Sequence, residues 1–288
     1  MAKKLYVPIV TPFREDETVD YGALKKLVKK VLSEGADGIY AGGSSSECFL
    51  MTEEERMKTL ETVIDAAEGA PVIAHIGAIG SLLTERLARH AEKAGALMIS
   101  SVPPFYFSFG AEQLKQYYWN LADCVKLPLM VYYIPVRMGY TLTAGQIADI
   151  MNGRDNITSL KFTSPDYYLM QQIAARTGKK MVSGKDECFI SALAMHADGA
   201  IGTSFNCYIG LYREILSRTE RGDWDGAYAL QGKANGMTAL LTKVNFFHAV
   251  KVLLAYQGVD AGIARRPNRL LSEAEKAEVI RYYKENFA

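Results

Sequence analysis

Cysteine is scarce in this chain of 288 residues. Its four copies (Cys48, Cys124, Cys188, Cys207) lie far apart, with no Cys-x-x-Cys pair and no His/Cys spacing that would hold zinc. They read as reduced, mostly buried thiols of a cytosolic protein, not as a disulfide framework. An excess of charge is also missing: the net value of +1 offers neither a basic field for nucleic acid nor a polybasic surface for a membrane. No run of about 18 apolar residues is available for a membrane span. The apolar stretch after the basic start Met1-Ala2-Lys3-Lys4 is short and holds Pro8 and Pro12. No signal peptide is therefore expected, and the expected location is cytoplasmic. The four histidines (His75, His90, His196, His248) are scattered, and the side chains of the adjacent Asp186-Glu187 diverge, so no metal site is expected. A Gly-x-Gly-x-x-Gly dinucleotide turn is absent.

What is present is a recurring unit: a short apolar run, a polar or Gly-rich junction, then a stretch with helical apolar spacing. The runs at 5–10, 38–41, 71–75, 97–101, 129–132, 157–161, 180–182 and 199–201 predict eight strands. Capping signals predict helix starts at Thr52 with Glu55, Thr143 with Gln146, and Ser164 before Pro165. Eight strand–helix units in about 220 residues predict a (β/α)8 barrel. After Gly222 the pattern is helical only, with helices expected at 223–239, 241–257 and 272–287. The chain therefore divides into an expected barrel, 1–222, and an expected three-helix extension, 223–288, packed on it. The composition, 49% hydrophobic and 23% charged, suits a globular protein with a large core.

A barrel of this kind carries its site at the C-terminal ends of its strands. Lys161 ends the apolar run Ile157-Thr158-Ser159-Leu160. In isolation it reads as a lysine whose stem reaches water. Desolvated at a barrel mouth, its amine becomes a nucleophile for ketones. The run Gly42-Gly43-Ser44-Ser45-Ser46-Glu47 supplies backbone N–H groups and hydroxyls for a carboxylate or phosphate, or is simply a capped loop. Tyr132 and Tyr133 end the fifth run, where a tyrosine can move a proton or merely pack. Pro103-Pro104-Phe105-Tyr106-Phe107 is a stiff aromatic loop suited to a wall or a subunit contact. Gly184-Lys185-Asp186-Glu187 and Gly202-Thr203-Ser204 bring carboxylates, hydroxyls and approachable backbone, which suit a polyhydroxylated ligand.

Together these strand-end residues resemble the dihydrodipicolinate synthase / N-acetylneuraminate lyase family of pyruvate-dependent, Schiff-base aldolases, over essentially the whole chain. The resemblance implies an imine on Lys161 with no separate cofactor, a catalytic Tyr132 in Tyr132-x-x-Pro135, and a pyruvyl carboxylate held by Ser44 and Ser45. Ser46 departs from the family pattern, which has glycine there. If that position needs positive φ, serine costs about 1 kcal/mol or the loop differs.

Thr163, Gly184, Asp186, Glu187, Gly202 and Thr203 resemble the residues with which the sialic acid lyase branch reads its substrate. Arg137 instead resembles the arginine with which the synthases bind a second carboxylate, and Tyr106 a tyrosine they use across a subunit interface. The implied partners are a small 2-keto acid such as pyruvate or a sugar acid, and further copies of the chain in a homotetramer or homodimer. A barrel that binds 2-keto acids without turnover is the reading from another class, since fold alone does not fix function.

Overall fold

The structure is a computed structural model that describes residues 2–287. Eight strands, Lys4–Pro8, Gly38–Ala41, Val72–His75, Met98–Ser101, Leu129–Tyr133, Ile157–Phe162, Lys180–Ser183 and Gly199–Ile201, pair in parallel and close on themselves in chain order. Each is buried on both faces, which is why these segments read as near-continuous apolar runs. Tyr40, Ile73, Met130, Val182 and Ile201 fill the inside of the barrel. The larger apolar cluster packs the strands against the surrounding helices.

Strand alternation decides which residues reach the mouth. Tyr132 is in register with Lys161, and Lys161 with Val182, so these side chains share the inner face above Met130. Tyr133 and Phe162, one position on, face outward, and their rings stack with centroids 5.5 Å apart. Tyr133 therefore lies in the helical layer, outside the site.

Two of the capping boxes, at Thr52/Glu55 and Thr143/Gln146, are formed as expected. The helix start read at Ser164-Pro165 is corrected. Asp166 is the cap, its carboxylate accepting from Leu169 N at 2.9 Å, and the helix runs Tyr167–Thr177. Pro165 biases Ser164 away from helical geometry, and the Asp166 carboxylate takes the free N–H group one turn in.

Helices Trp224–Lys243, Phe246–Tyr256 and Glu273–Phe287 follow the last barrel helix, Phe205–Glu220. The break between the first two falls at Val244-Asn245, where Asn245 caps the next helix by accepting from His248 N. No single helix among the described residues is long and apolar enough to cross a membrane.

Candidate active site

Lys161 sits at the inner mouth of the barrel with only 5% of its surface exposed. Its Nζ lies 4.1 Å from the centroid of the Tyr40 ring and 4.1 Å from that of Tyr132. Aromatic faces attract a cation but replace water poorly, so burial pulls the ammonium down to a pKa of about 7. The Asp186 carboxylate opposes that fall. Near neutral pH a large share of the amine is therefore unprotonated, the state a nucleophile needs.

Tyr132 is equally buried, and burial raises its phenol above the ordinary value. The hydroxyls of Ser44 and Thr163 act on it in the opposite direction. Among the described residues no hydrogen bond of normal geometry reaches Thr163 Oγ1, a buried polar atom at this end of the site. Thr163 and Lys161 both crowd Gly184: a Cβ there would stand 1.9 Å from Thr163 Oγ1 and 3.3 Å from Lys161 Cε. Only glycine allows the seventh strand's end to pass so close to the lysine.

The loop after the second strand is a short 3-10 turn, Ser44–Ser46, ending in a left-handed Glu47 at φ 57°. Ser46 is thus free of the strain that a positive φ would impose. Its hydroxyl, fully buried, donates to Ile9 O at 2.7 Å. Ser45 Oγ lies 2.6 Å from Thr203 Oγ1, which ties this loop to the end of the eighth strand. Glu47 Oε1 accepts from Lys251 Nζ at 2.7 Å, and Oε2 accepts from Arg265 N and Asn268 Nδ2, each at 2.9 Å.

Asp186 is buried, which raises its carboxyl pKa against the pull of Ser204. Its Oδ2 accepts from Ser204 N at 2.8 Å and Ser204 Oγ at 2.6 Å. Tyr212 supports that serine, with its hydroxyl 2.9 Å from Ser204 Oγ. Glu187 points elsewhere, to Lys185 Nζ at 2.6 Å. Gly202 packs beside Phe205 and the Cβ of Asp186.

His75 is buried, and its Nδ1 lies 2.8 Å from Gly42 O while Nε2 accepts from Val102 N at 3.4 Å. Burial, reinforced by the Arg56 charge, lowers its pKa to about 3. It is a neutral histidine that holds the loop backbone.

Above Ser44 a cavity of about 350 Å³ opens, walled by Phe49, Phe105, Ile134, Met138, Phe247 and Pro267, with Arg137 and Asn268 as polar members. Arg137 is exposed at this cavity, on the short helix Pro135–Met138. Tyr106 stands away from the cluster, 86% exposed and at φ 79°, its ring edge-on to the exposed Phe107. A larger cavity of about 810 Å³ lies between residues 12–20 and the C-terminal helices, away from Lys161.

The structure thus gathers Lys161, Tyr132, Ser44, Ser45, Thr163, Gly184, Asp186, Gly202 and Thr203 around one mouth, with Arg137 above them. Glu187 and Tyr106 lie at its margin or outside. Tyr40 and Asn268 are not marked by the sequence motifs, and Glu47 and Ser204 stand in motifs that do not reveal their partners. Alternation along 38–41 marks Tyr40 as an inner-face neighbour. Lys251 inside the apolar run Val250-Lys251-Val252-Leu253-Leu254 is the signal that a buried carboxylate must exist. Nothing in the sequence marks Asn268.

Residues 1–286 match the Dihydrodipicolinate synthetase family. The chain belongs to that family. It is 37% identical over 276 residues to the N-acetylneuraminate lyase of Rhizobium meliloti (strain 1021), covering 95% of this chain and 91% of the relative. It is 34% identical over 271 residues to the N-acetylneuraminate lyase of Lactiplantibacillus plantarum, covering 93% and 92%. Among solved structures, CdNal from Clostridium difficile in complex with mannosamine superposes with a TM-score of 0.96 at 27% identity, over 99% of both chains. The family's barrel is therefore the fold of this chain.

Proposed function

We propose that this protein is an N-acetylneuraminate lyase, a class I aldolase that cleaves a 2-keto sugar acid to pyruvate and an N-acetylated amino sugar. The observation that carries the reading is the buried Lys161, its ammonium brought down to about pKa 7, facing Tyr132 beside the Ser44–Ser45 hydroxyls. Relatives of that name at 34–37% identity support the substrate class.

In this mechanism neutral Lys161 adds to the C2 ketone and water leaves, forming an imine. Protonated, the imine accepts the electron pair of the C3–C4 bond as that bond breaks, leaving an enamine. Tyr132 takes the C4 hydroxyl proton as the aldehyde forms. Because burial keeps it a phenol, it passes its own proton to the adjacent Ser44 hydroxyl as it does so, and the proton released along this relay is the one that C3 takes up in the next step. Protonation of C3 and hydrolysis of the imine release pyruvate and free Lys161. Ser44 and Ser45 clamp the substrate carboxylate and fix the ketone against the amine, an orientation effect worth several kcal/mol, on the order of that in intramolecular reactions. The imine is the electron sink, so the scheme calls for no separate cofactor.

Thr163, Asp186, Gly202 and Thr203 read the sugar chain, with Gly184 giving the substrate room. The exposed Tyr106 and Phe107 support assembly into a homotetramer or homodimer, and the composition supports a cytoplasmic enzyme. Arg137 at the cavity favours a second reading, a synthase that joins pyruvate to aspartate semialdehyde and holds its carboxylate.

Pyruvate release from N-acetylneuraminate, with aspartate semialdehyde plus pyruvate as the comparison, separates the two readings. Borohydride with pyruvate should add a stable pyruvyl mass to Lys161. An unlabelled lysine under conditions that label a known Schiff-base aldolase sinks both.

A further inference from the structure

The cavity above Ser44 has an apolar wall, yet it carries one orientation-locked acceptor. Asn268 comes from the loop that joins the last two helices and lines this cavity with Phe49, Phe105, Phe247 and Arg137. Its Nδ2 donates to Glu47 Oε2 at 2.9 Å and to Arg265 O at 3.0 Å, so both amide hydrogens are used. Turning the amide over would set Oδ1 against a carboxylate and a carbonyl, lone pair on lone pair. The network therefore fixes which end is oxygen.

Glu47 itself cannot swing away, because Lys251 and the Arg265 N–H hold its two oxygens. Asn268 Oδ1 accepts no hydrogen bond among the described residues and is what the side chain offers the cavity. The cavity thus presents an acceptor at Asn268, donors at Arg137 and an apolar aromatic surface, in a space of about 350 Å³.

We propose that Asn268 determines specificity by accepting a hydrogen bond from the N–H of an acylamino substituent on the substrate. The carbonyl of that group faces Arg137 and its methyl packs on Phe49 and Phe105. An acetamido group has all three features in one plane. A hydroxyl in its place has a donor but no carbonyl for Arg137 and no apolar end for the wall. A free amine brings a cation to the Arg137 side. The inference rests on the lyase reading above and extends it: the C-terminal segment, held through Glu47, selects N-acylated substrates.

The test compares kcat/KM for pyruvate release from N-acetylneuraminate and from the same nine-carbon keto acid carrying an O-acetyl ester in place of the acetamido group, which keeps the carbonyl and the methyl and lacks only the N–H that Asn268 accepts. The wild type should favour the acetamido compound by at least about tenfold, since a site built to pair a polar group rejects an analogue lacking it by up to about 10⁴–10⁵-fold. Asn268→Leu should bring that ratio towards one, with Asn268→Ala standing in if the leucine variant does not fold. A ratio is insensitive to the fraction of folded enzyme, so a merely structural role would leave it unmoved. Equal kcat/KM for both compounds in the wild type, or a ratio unchanged by both substitutions, overturns the subsite and leaves the lyase reading standing. If pyruvate is still trapped on Lys161 but neither compound is cleaved, the lyase reading and the subsite fall together.

Discussion

Lys251 and Glu47, 204 positions apart, form an ion pair at 2.7 Å with side chains 0% and 1% exposed. The lysine comes from helix Phe246–Tyr256 and the glutamate ends the Ser44–Ser46 turn, so the C-terminal helices set the position of that turn. Removing one member leaves a buried charge without its partner, which costs about 3–5 kcal/mol, whereas replacing both is far milder. Lys251→Met should therefore lower the melting temperature strongly and raise KM for the keto acid. The double variant Lys251→Met/Glu47→Gln should recover most of the stability in thermal denaturation. Additive losses in the double variant would show that the two residues act independently.

Lys161 titrates low because the barrel mouth desolvates it, and this ties activity and stability to pH in one direction. A lysine with the unperturbed value has a few neutral amines per ten thousand at pH 7. One at about 7 is half neutral, a gain of about 10³-fold. Imine trapping by borohydride should rise through about pH 7 and level off above it. A rise only near pH 10 would mean that the amine is solvated. For stability, the unfolded chain binds the proton more tightly than the folded one, so folding is penalised most below about pH 7. The penalty is relieved as pH climbs towards the unfolded value. Lys251, lowered to about 8 by burial, adds to the same upward slope from about pH 8. Lys161→Met should thus be more stable than the wild type at pH 6, by on the order of 4 kcal/mol. The difference should shrink as pH rises in equilibrium unfolding, and a constant difference would contradict a depressed lysine.

The barrel was legible because each strand is short, apolar and followed by a helix with its own cap, all of which are local signals. The site's inner ring followed from strand ends: Lys161 and Tyr132 share a face by simple alternation. What escaped depends on pairings across the fold. Glu47 belongs to a motif, yet its partners Lys251, Arg265 and Asn268 lie more than 200 positions away, and no periodicity links them. Ser204 stands in a strand-end motif, but its use of both N–H and hydroxyl on Asp186 depends on the loop geometry. The helix start at Asp166 escapes the sequence because Ser164-Pro165 is itself a start signal, and the carboxylate that caps the helix comes two residues later.

Ser46 shows how a departure from the family pattern is accommodated. The left-handed residue of the loop is Glu47, and Ser46 sits in the 3-10 turn before it with its hydroxyl on Ile9 O at 2.7 Å. Ser46→Gly would remove that buried hydrogen bond, leave the carbonyl short of a donor and add freedom to the unfolded chain. Together these cost about 1–3 kcal/mol. The variant should melt lower and should not turn over faster. A gain in kcat would show that the serine is a catalytic lesion.

Tyr132 faces Lys161 across the mouth, with Ser44 and Thr163 beside its hydroxyl, and its phenol is held protonated by burial. In the proposed reaction the first half, addition of the amine to the ketone, would draw on Lys161 and on Ser44 and Ser45. The second half needs a group to take the C4 proton as the C3–C4 bond breaks. Tyr132→Phe keeps the ring that packs against the Lys161 amine and deletes only the proton carrier. The expected result is a fall in kcat of about 10²–10⁴-fold, the usual worth of a positioned acid–base group, with the pyruvyl adduct on Lys161 still formed under borohydride. Loss of the adduct together with turnover would place the hydroxyl in imine formation instead. Unchanged turnover would remove Tyr132 from the proton path altogether and leave Thr163, whose Oγ1 has no partner among the described residues, as the next hydroxyl in reach.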